Sequence, residues 1–354
     1  MSAVGEVRYE RAYYYCRHCG TGAAPADAGL HVVGTELTPA ARETVALAGT
    51  VSSFAEAAEK VLPRLAGLRV SESTVERTAE AIGTSLGGRL SAGEVFGREG
   101  PWAWSKDAHG RTVGYVSLDA TGVGIQGPNG TAAEGKMVDV GLIFDPGADT
   151  RPGRMRALAG LYALDELGPQ MRRQAAQVGL DQADVWVGLT DGGSGLDEFL
   201  RVYFPRAELV LDFYHAAEHL NELAKALHPQ DEAAAGALAG RWCHQLKHEG
   251  GAAVLATLGG VDLRGKKADV RERHRLVSGY VRDNVYRMDY PRYRANGWLI
   301  GSGHVESACK GVVGQRLKGS GMRWSEAGAD AVCHLRALFK SEKGQWDAFW
   351  ALAP

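Results

Sequence analysis

Cysteine is scarce in this chain: there are five among 354 residues, an odd number scattered along the sequence. That usage favours a reducing compartment over a disulfide framework. No apolar run approaches the ~18 residues that span a membrane. The N-terminus, MSAVGEVRYERAYYYC, lacks the apolar core region of a signal peptide. We therefore expect a cytoplasmic protein with no membrane partner.

A strong excess of positive charge is also lacking. The formal net charge is −2, and 45% apolar with 23% charged residues is typical of a globular protein. A uniformly basic nucleic-acid binder is excluded, so any such surface must be local. Neither a P-loop nor a dinucleotide-binding fingerprint is present. The length is sufficient for two or three domains.

The N-terminal segment contains half of a zinc-binding pattern. Cys16 and Cys19, in CRHCG, have the spacing of a zinc knuckle, in which two thiolates bind one tetrahedral metal ion. The sequence has no second C-x-x-C to supply the remaining ligands. We predict a partial zinc-ribbon-like segment over residues 1–35, with Zn²⁺ binding left open.

Residues 36–105 are predicted to form a helical domain. Thr38 followed by proline is typical of a helix start, and capping boxes are expected at 53–56 and 73–76. Residues 67–70 would form the turn of a helix-turn-helix whose second helix enters DNA. The alternative is a packing bundle, because that helix carries three glutamates and one arginine.

Strand patterns dominate residues 110–215. Two runs rich in Val, Gly and Ile predict strands, a third strand is predicted after them, and a helix, a strand, a helix and a strand follow. This is the order of the ribonuclease H-like fold, a five-stranded mixed sheet whose first and fourth strands are neighbours. The predicted elements are strands 112–118, 136–144 and 154–163, helix 164–177, strand 184–190, helix 196–203 and strand 207–211.

Two aspartates close apolar runs of this region. Asp119 lies in VSLDATG and Asp191 in GLTDGGSGL. Acids at these strand ends can share Mg²⁺, which prefers oxygen ligands and keeps positions open for phosphate and water. The alternatives are a turn residue at Asp119 and a helix N-cap at Asp191. Asp212, also at a strand end, competes with Asp191 for the same role.

A third acid, Glu306, lies in IGSGHVESACKGVVGQRLKGSGMRW. The basic residues that follow it, with no acid between them, are Lys310, Arg316, Lys318 and Arg323. A lone acid in a phosphate-binding surface fits a metal ligand, whereas the alternative is a surface glutamate near a helix start. Trp324 could stack on an unpaired base, but most tryptophans belong to a core.

The chain between Asp212 and Glu306 is predicted to be mainly helical, with amphipathic helices at 213–227 and 231–248, and residues 264–294 are basic. They contain ten Lys or Arg and four Asp or Glu, a local net charge of +6, with four interleaved tyrosines. Such a segment is typical of a nucleic-acid surface, although a solvated helix face is the alternative. The candidate DNA contacts here are Lys266, Lys267, Arg271 and Arg273.

Four motifs together resemble one family: LDATG, LTDGGSGL, VLDFYHAAEHL and GSGHVESACKGVVGQRLKGSGMRW. They look like those of bacterial insertion-sequence transposases of the Kra type, within the Mutator-like DDE superfamily. The resemblance covers residues 110–340. CRHCG also resembles the last part of a zinc ribbon that precedes the catalytic domain in such proteins, so we expect upstream sequence to be lacking.

The resemblance implies roles for five residues. Asp119, Asp191 and Glu306 match the three catalytic acids, which would hold two Mg²⁺ or Mn²⁺ ions. Asp212 with His215 is similar to the D-x-x-H signature that follows the second acid and would support the site. The implied segments are a ribonuclease H-like core at 110–215, a helical insertion at 216–300, the remainder of the core at 301–345 and a tail at 346–354.

The activity implied is metal-dependent cleavage and strand transfer of double-stranded DNA, at transposon ends and target. Because two ends are joined at once, a homodimer or larger assembly on DNA is expected, associated with the nucleoid. Two alternatives remain: a truncated, inactive DNA-binding protein derived from a transposase, or a ribonuclease H-like nuclease without strand transfer.

Overall fold

Strands form where β-branched and apolar residues alternate with small ones. The computed structural model describes residues 1–3, 5–32, 36–97, 100–127, 131, 134–147, 152–193 and 195–352. Within these residues the strands are β1 (Tyr14–Tyr15), β2 (Gly22–Ala23), β3 (Ser105–Lys106), β4 (Thr112–Ile125), β5 (Glu134–Asp145), β6 (Arg154–Gly160), β7 (Val185–Thr190) and β8 (Ala207–Leu211).

One mixed sheet contains β3 to β8. Its order is β6-β5-β4-β7-β8, with β3 paired to β4; β4, β5 and β6 are antiparallel, whereas β4, β7 and β8 are parallel. The predicted mixed α/β fold and mixed sheet are confirmed. The sheet has six strands rather than the predicted five, because two-residue β3 is too short to show an alternating pattern.

The strand that carries Asp119 is longer than predicted. β4 continues to Ile125, so Asp119 lies inside the strand and not at its end. Pairing with β7 stops at Ser117 opposite Leu189, whereas pairing with β5 continues to Ile125 opposite Glu134. Asp119 therefore lies just beyond the last β4–β7 pair, where β4 leaves its parallel neighbour.

The helices cover both faces of this sheet. They are α1 (Pro25–Gly29), α2 (Pro39–Val51), α3 (Phe54–Glu56), α4 (Leu62–Leu65), α5 (Glu72–Ser91), α6 (Leu164–Gln177), α7 (Leu196–Tyr203), α8 (Phe213–Leu227), α9 (Glu232–Glu249), α10 (Gly251–Gly259), α11 (Ala268–Asn284), α12 (Tyr290–Ala295), α13 (Gly303–Ala308), α14 (Gln315–Leu317), α15 (Glu326–Lys340) and α16 (Gln345–Ala351). Two π-helical segments, Ala57–Val61 and Cys309–Gly314, join α3 to α4 and α13 to α14. Among the described residues, Leu180–Gln182 and Val285–Arg287 form 3₁₀ turns.

Side-chain caps set several helix starts. α6, α7 and α8 begin and end at the predicted residues, and Ser53 accepts the Glu56 N–H as predicted. The predicted cap at Ser73 is wrong. Ser71 accepts the N–H of Thr74, so α5 starts earlier and Ser73 lies within its first turn.

Alternation along β4 divides the apolar core into two layers. Val113 and Tyr115 face a layer that includes α8, α9, α11 and α13. Val116 and Leu118 face a second layer that includes α5, α6, α7 and α16. Asp119 has the parity of Tyr115 and so belongs to the face that α13 covers. No described helix is long and apolar enough to cross a bilayer.

Helix α5 is packed into the core of the sheet. Leu86 and Leu90 share an apolar cluster with Leu118 of β4 and Leu335 of α15. The approach to α15 is close: a Cβ at Gly83 would lie 2.2 Å from the Ala331 carbonyl oxygen. The N-terminal helices are therefore attached to the sheet by α5, while a helix-turn-helix role stays a prediction.

Candidate functional site

Asp119 is half-buried on β4, and its two carboxylate oxygens have different donors. Oδ1 accepts the Ala120 N–H at 2.7 Å, and the Cys309 thiol donates to Oδ2 at 3.4 Å. Burial raises the pKa of Asp119, and the negative charges of Asp191 and Glu306 raise it further, against the lowering effect of these hydrogen bonds. The charges of Asp191 and Glu306 thus both act on Asp119.

Asp191 directly follows β7, beside Asp119. Its Oδ1 accepts the N–H of Gly193 at 2.8 Å, which closes a tight turn at the end of the strand. The side chain is partly exposed. Because β4 and β7 are parallel neighbours with Ser117 opposite Leu189, Asp119 and Asp191 lie at the same level of the sheet.

Glu306 is exposed on α13, which packs on the face of the sheet to which Asp119 belongs. Its Oε1 is within hydrogen-bonding distance of the Ser302 hydroxyl, and that hydroxyl also contacts Oδ2 of Asp212. One hydroxyl has one hydrogen, so Ser302 can donate to only one of these carboxylates at a time. Ser302 therefore connects Glu306 to Asp212.

Asp212 has a different environment from Asp191, its rival for the metal-ligand role. It is 1% exposed, and it caps α8 by accepting the N–H groups of Tyr214 at 2.5 Å and His215 at 3.1 Å. Its other oxygen accepts the Ser302 N–H at 2.8 Å. With its oxygens occupied by backbone donors, Asp212 ties β8 and α8 to the start of α13.

The His215 side chain does not bind Asp212, because only its backbone N–H reaches the carboxylate. The imidazole instead packs against His219, with ring centroids 5.1 Å apart, and lies 6.3 Å from the Tyr280 ring. Asp212 and His215 therefore do not form a side-chain hydrogen bond. A supporting role for His215 beside the acids stays a prediction.

Sequence reasoning missed two residues that touch the acids. Ser302 stands four positions before Glu306 in GSGHVE, the spacing at which side chains of one helical turn meet. Cys309, interpreted as an incidental core residue, is buried yet reaches Asp119. Cys309 begins the π-helical segment that follows α13, and such segments are frequent at functional sites.

The donor set suits a hard divalent cation, but the acids are not closed around a common point. Among the described residues, no group of three or more His, Cys, Asp or Glu side chains is arranged to hold a metal ion. Asp119, Asp191 and Glu306 each have an oxygen held by a neighbouring donor instead. Their oxygens and mutual charge fit Mg²⁺ or Mn²⁺, provided that the side chains turn toward one another.

One predicted DNA contact, Arg316, is wrong. Its side chain is buried, at 2% exposure, where Nε donates to the Gly49 carbonyl at 2.9 Å. The guanidinium also packs over the rings of Phe54 and Trp324. Arg316 thus fastens α2 to the segment after α13. Trp324 is a core residue, and its Nε1 donates to Leu317.

The other candidate DNA contacts differ in availability. Lys310, Lys318 and Arg323 are exposed, and Lys318 contacts the Thr121 hydroxyl. On α11 and its approach, Lys267 and Arg271 are exposed. Two others already have partners: Lys266 donates to the Leu227 carbonyl at 3.0 Å, and Arg273 forms an ion pair with Glu222 at 2.6 Å.

Cys16 and Cys19 lie exposed in the small hairpin of β1 and β2. The Cys19 sulfur is 2.8 Å from the Thr21 hydroxyl, and hydrogen bonds from Thr21 and Cys16 lower the pKa of Cys19 to about 7. A thiol with that pKa is a better metal ligand than an ordinary cysteine. Along the described parts of the chain no third ligand joins them, so Zn²⁺ stays a prediction.

No protein-family profile and no curated protein matches this chain. A function for this protein must therefore be inferred from the three acids, from the elements that carry them and from the motifs of the sequence.

Proposed function

We propose that this protein is a DDE transposase with a ribonuclease H-like catalytic core, which cleaves DNA strands at transposon ends and transfers them to target DNA. The observation that carries the proposal is the grouping of Asp119, Asp191 and Glu306. They come from β4, from the end of its parallel neighbour β7 and from α13, and the charges of Asp191 and Glu306 both act on Asp119. Acids grouped in this way are what phosphoryl transfer with two divalent ions requires.

The three acids would hold the ions through carboxylate oxygens, and bound Mg²⁺ or Mn²⁺ would supply Lewis-acid activation of the attacking hydroxyl and stabilise the leaving oxygen. In cleavage, a water oxygen bonds to phosphorus, the bond to the 3′-oxygen breaks, and that oxygen takes a proton. In strand transfer, the freed 3′-hydroxyl attacks a target phosphodiester and displaces another 3′-oxygen.

Other residues of the chain would position these groups. Cys309 holds one oxygen of Asp119, and Ser302 links Glu306 to the buried Asp212. Lys310 and Arg323 follow Glu306 in the sequence and are exposed. They would contact phosphate oxygens. Binding through such contacts should weaken steeply with salt.

The test uses double-stranded DNA that carries the element's own ends, with Mg²⁺ or Mn²⁺. We compare the protein with its Glu306→Gln and Asp119→Asn variants, and with Glu59→Gln as a control on an exposed acid far from the site in sequence. Metal-dependent nicking with joined products, lost in the first two variants only, supports a transposase.

Other results would lead elsewhere. Cleavage without joined products indicates a ribonuclease H-like nuclease. Salt-sensitive DNA binding with no cleavage by any form contradicts the proposal and indicates an inactive remnant. Sedimentation of the protein on end-bearing DNA tests the expected dimer or larger assembly, and association with the nucleoid is tested by imaging a tagged protein.

A further inference from the structure

Tyr280 of the insertion helix α11 lies directly against the turn that carries Asp191. A Cβ at Gly192 would be 2.3 Å from the Tyr280 ring and 2.5 Å from its hydroxyl oxygen. The Gly192 backbone does not have a positive φ, so the turn itself does not require glycine here. Glycine at 192 instead leaves the space that the tyrosine ring occupies.

The Tyr280 hydroxyl is enclosed and makes no hydrogen bond to any described residue. A buried donor without a partner costs free energy relative to its hydrated state. Burial raises the pKa of Tyr280, and the charges of Asp191 and Asp212 act in the same direction against Arg287. The hydroxyl therefore keeps its hydrogen and can donate it.

The tyrosine has a further neighbour on α8. Its ring packs on His219, with centroids 4.3 Å apart. Just beyond α11, the buried Arg287 donates to the Thr190 hydroxyl at 2.8 Å. Two residues of the insertion thus contact Thr190 and Gly192, the immediate neighbours of Asp191 on either side.

We propose that Tyr280 is a positioning residue for Asp191. Its hydroxyl donates a hydrogen bond to the Asp191 carboxylate once that carboxylate turns from the Gly193 amide to bind a divalent cation. This inference rests on the proposed function, because it assumes that Asp191 is a ligand. The Tyr280 hydroxyl is an enclosed donor beside the turn that makes no hydrogen bond to a described residue, and it would gain a partner when the acids regroup. A donor that hydrogen-bonds to a metal-binding carboxylate orients that carboxylate toward the ion.

The test compares Tyr280→Phe with Tyr293→Phe. The Tyr293 hydroxyl donates to the Leu209 carbonyl at 3.2 Å, away from the acids. We expect Tyr280→Phe to leave the metal-free melting temperature unchanged or higher, because no hydrogen bond is lost. Tyr293→Phe should melt about 1–3 °C lower, because one hydrogen bond is lost.

Mn²⁺ binding to the DNA-free protein is then measured by calorimetry, with Asp191→Asn as the reference for a lost ligand. We expect Tyr280→Phe to weaken Mn²⁺ binding roughly 10-fold or more. This is the loss in metal affinity that is usual when a group hydrogen-bonded to a metal ligand is removed. Tyr293→Phe should bind as the original protein does. Single-turnover DNA cleavage should need more Mn²⁺ in Tyr280→Phe to reach half its maximal rate.

Three outcomes would overturn the inference in different ways. Unchanged Mn²⁺ binding by Tyr280→Phe, with Asp191→Asn impaired, removes Tyr280 from the site and leaves the proposed function standing. Unchanged Mn²⁺ binding with weaker DNA binding makes Tyr280 a phosphate contact. Mn²⁺ binding that is absent, or the same in Asp191→Asn as in the original protein, overturns the proposed function and this inference with it.

Discussion

The thiol of Cys309 donates to Oδ2 of Asp119 across 3.4 Å, so a buried cysteine sits against the carboxylate that the proposed chemistry needs ionised. The thiol cannot compete as an anion, because burial raises the pKa of Cys309 far above its usual range. It therefore acts as a donor that favours the charged form of Asp119.

Replacing Cys309 with alanine should shift the pH dependence of DNA cleavage. The lost hydrogen bond lowered the pKa of Asp119, so that pKa will rise in Cys309→Ala. The acidic limb of the pH–rate profile should move to higher pH, while the plateau rate above it changes less than about tenfold. Cys333 is a buried cysteine on a different helix, α15, and Cys333→Ala should leave the pH–rate profile unshifted. An unshifted profile in Cys309→Ala would contradict the role given to this contact.

Arg316 and Arg323 should respond to alanine in opposite ways. Arg316→Ala removes a buried guanidinium and its contacts with Gly49 and two aromatic rings, so we expect a loss of about 2–4 kcal/mol in the free energy of unfolding. Arg323→Ala, at an exposed position, should keep its stability and weaken DNA binding, lowering the salt slope by about 1. Denaturant titration and salt-dependent binding measure the two effects. Equal stability of both variants would refute the buried position of Arg316.

Two glycines of α5 test how that helix is packed. Gly83→Ala places a methyl group 2.2 Å from the Ala331 carbonyl oxygen, so we expect a loss of about 2–3 kcal/mol. Gly88→Ala points into open space in the same helix and should gain about 0.5–1 kcal/mol from helix propensity. Thermal unfolding of both variants gives the comparison. If Gly83→Ala were as stable as Gly88→Ala, α5 would not be packed on α15 as described.

Asp139 should make stability fall as pH rises. Burial raises its pKa from 3.8 to about 6, so the folded state must accept a half-buried charge as pH passes through 6. The favourable contribution is present below the unfolded pKa and is lost above the folded one. Asp139→Asn should therefore stabilise the protein at pH 8 by up to about 1 kcal/mol, after allowance for solvent screening, and by less at pH 5. Glu59→Gln is the control; a gain that did not grow with pH would exclude this cause.

Much of the α/β order could be predicted because its periodicity is local. The bounds of α6, α7, β8 and α8 agree with the pattern, since each has the apolar spacing of its own element. Asp119 was predicted at a strand end because the residues after it are small and polar. Those residues nevertheless pair with β5 as a hairpin that extends beyond the parallel strands.

Contacts between distant segments could not be predicted in the same way. The charge of Arg316 suggested a surface, but only the packed structure puts aromatic rings on it. Gly192 looked like a turn glycine, because nothing in a single sequence links it to Tyr280. Residue patterns alone left Asp191 and Asp212 in competition, and the resemblance favoured Asp191; the backbone donors around Asp212 could be identified only in the structure.

The sharing of one apolar cluster by Leu86, Leu90 and Leu118 has a consequence for how this protein can be altered. Leu118 immediately precedes Asp119, so α5 packs against the opposite side of β4 from Asp119. Exchanging the N-terminal helices, α5 included, for those of another protein would expose the apolar side of β4 that α5 covers. A chimeric protein would have to keep α5 together with the sheet. New specificity would then have to come from substitutions at outward-facing positions alone.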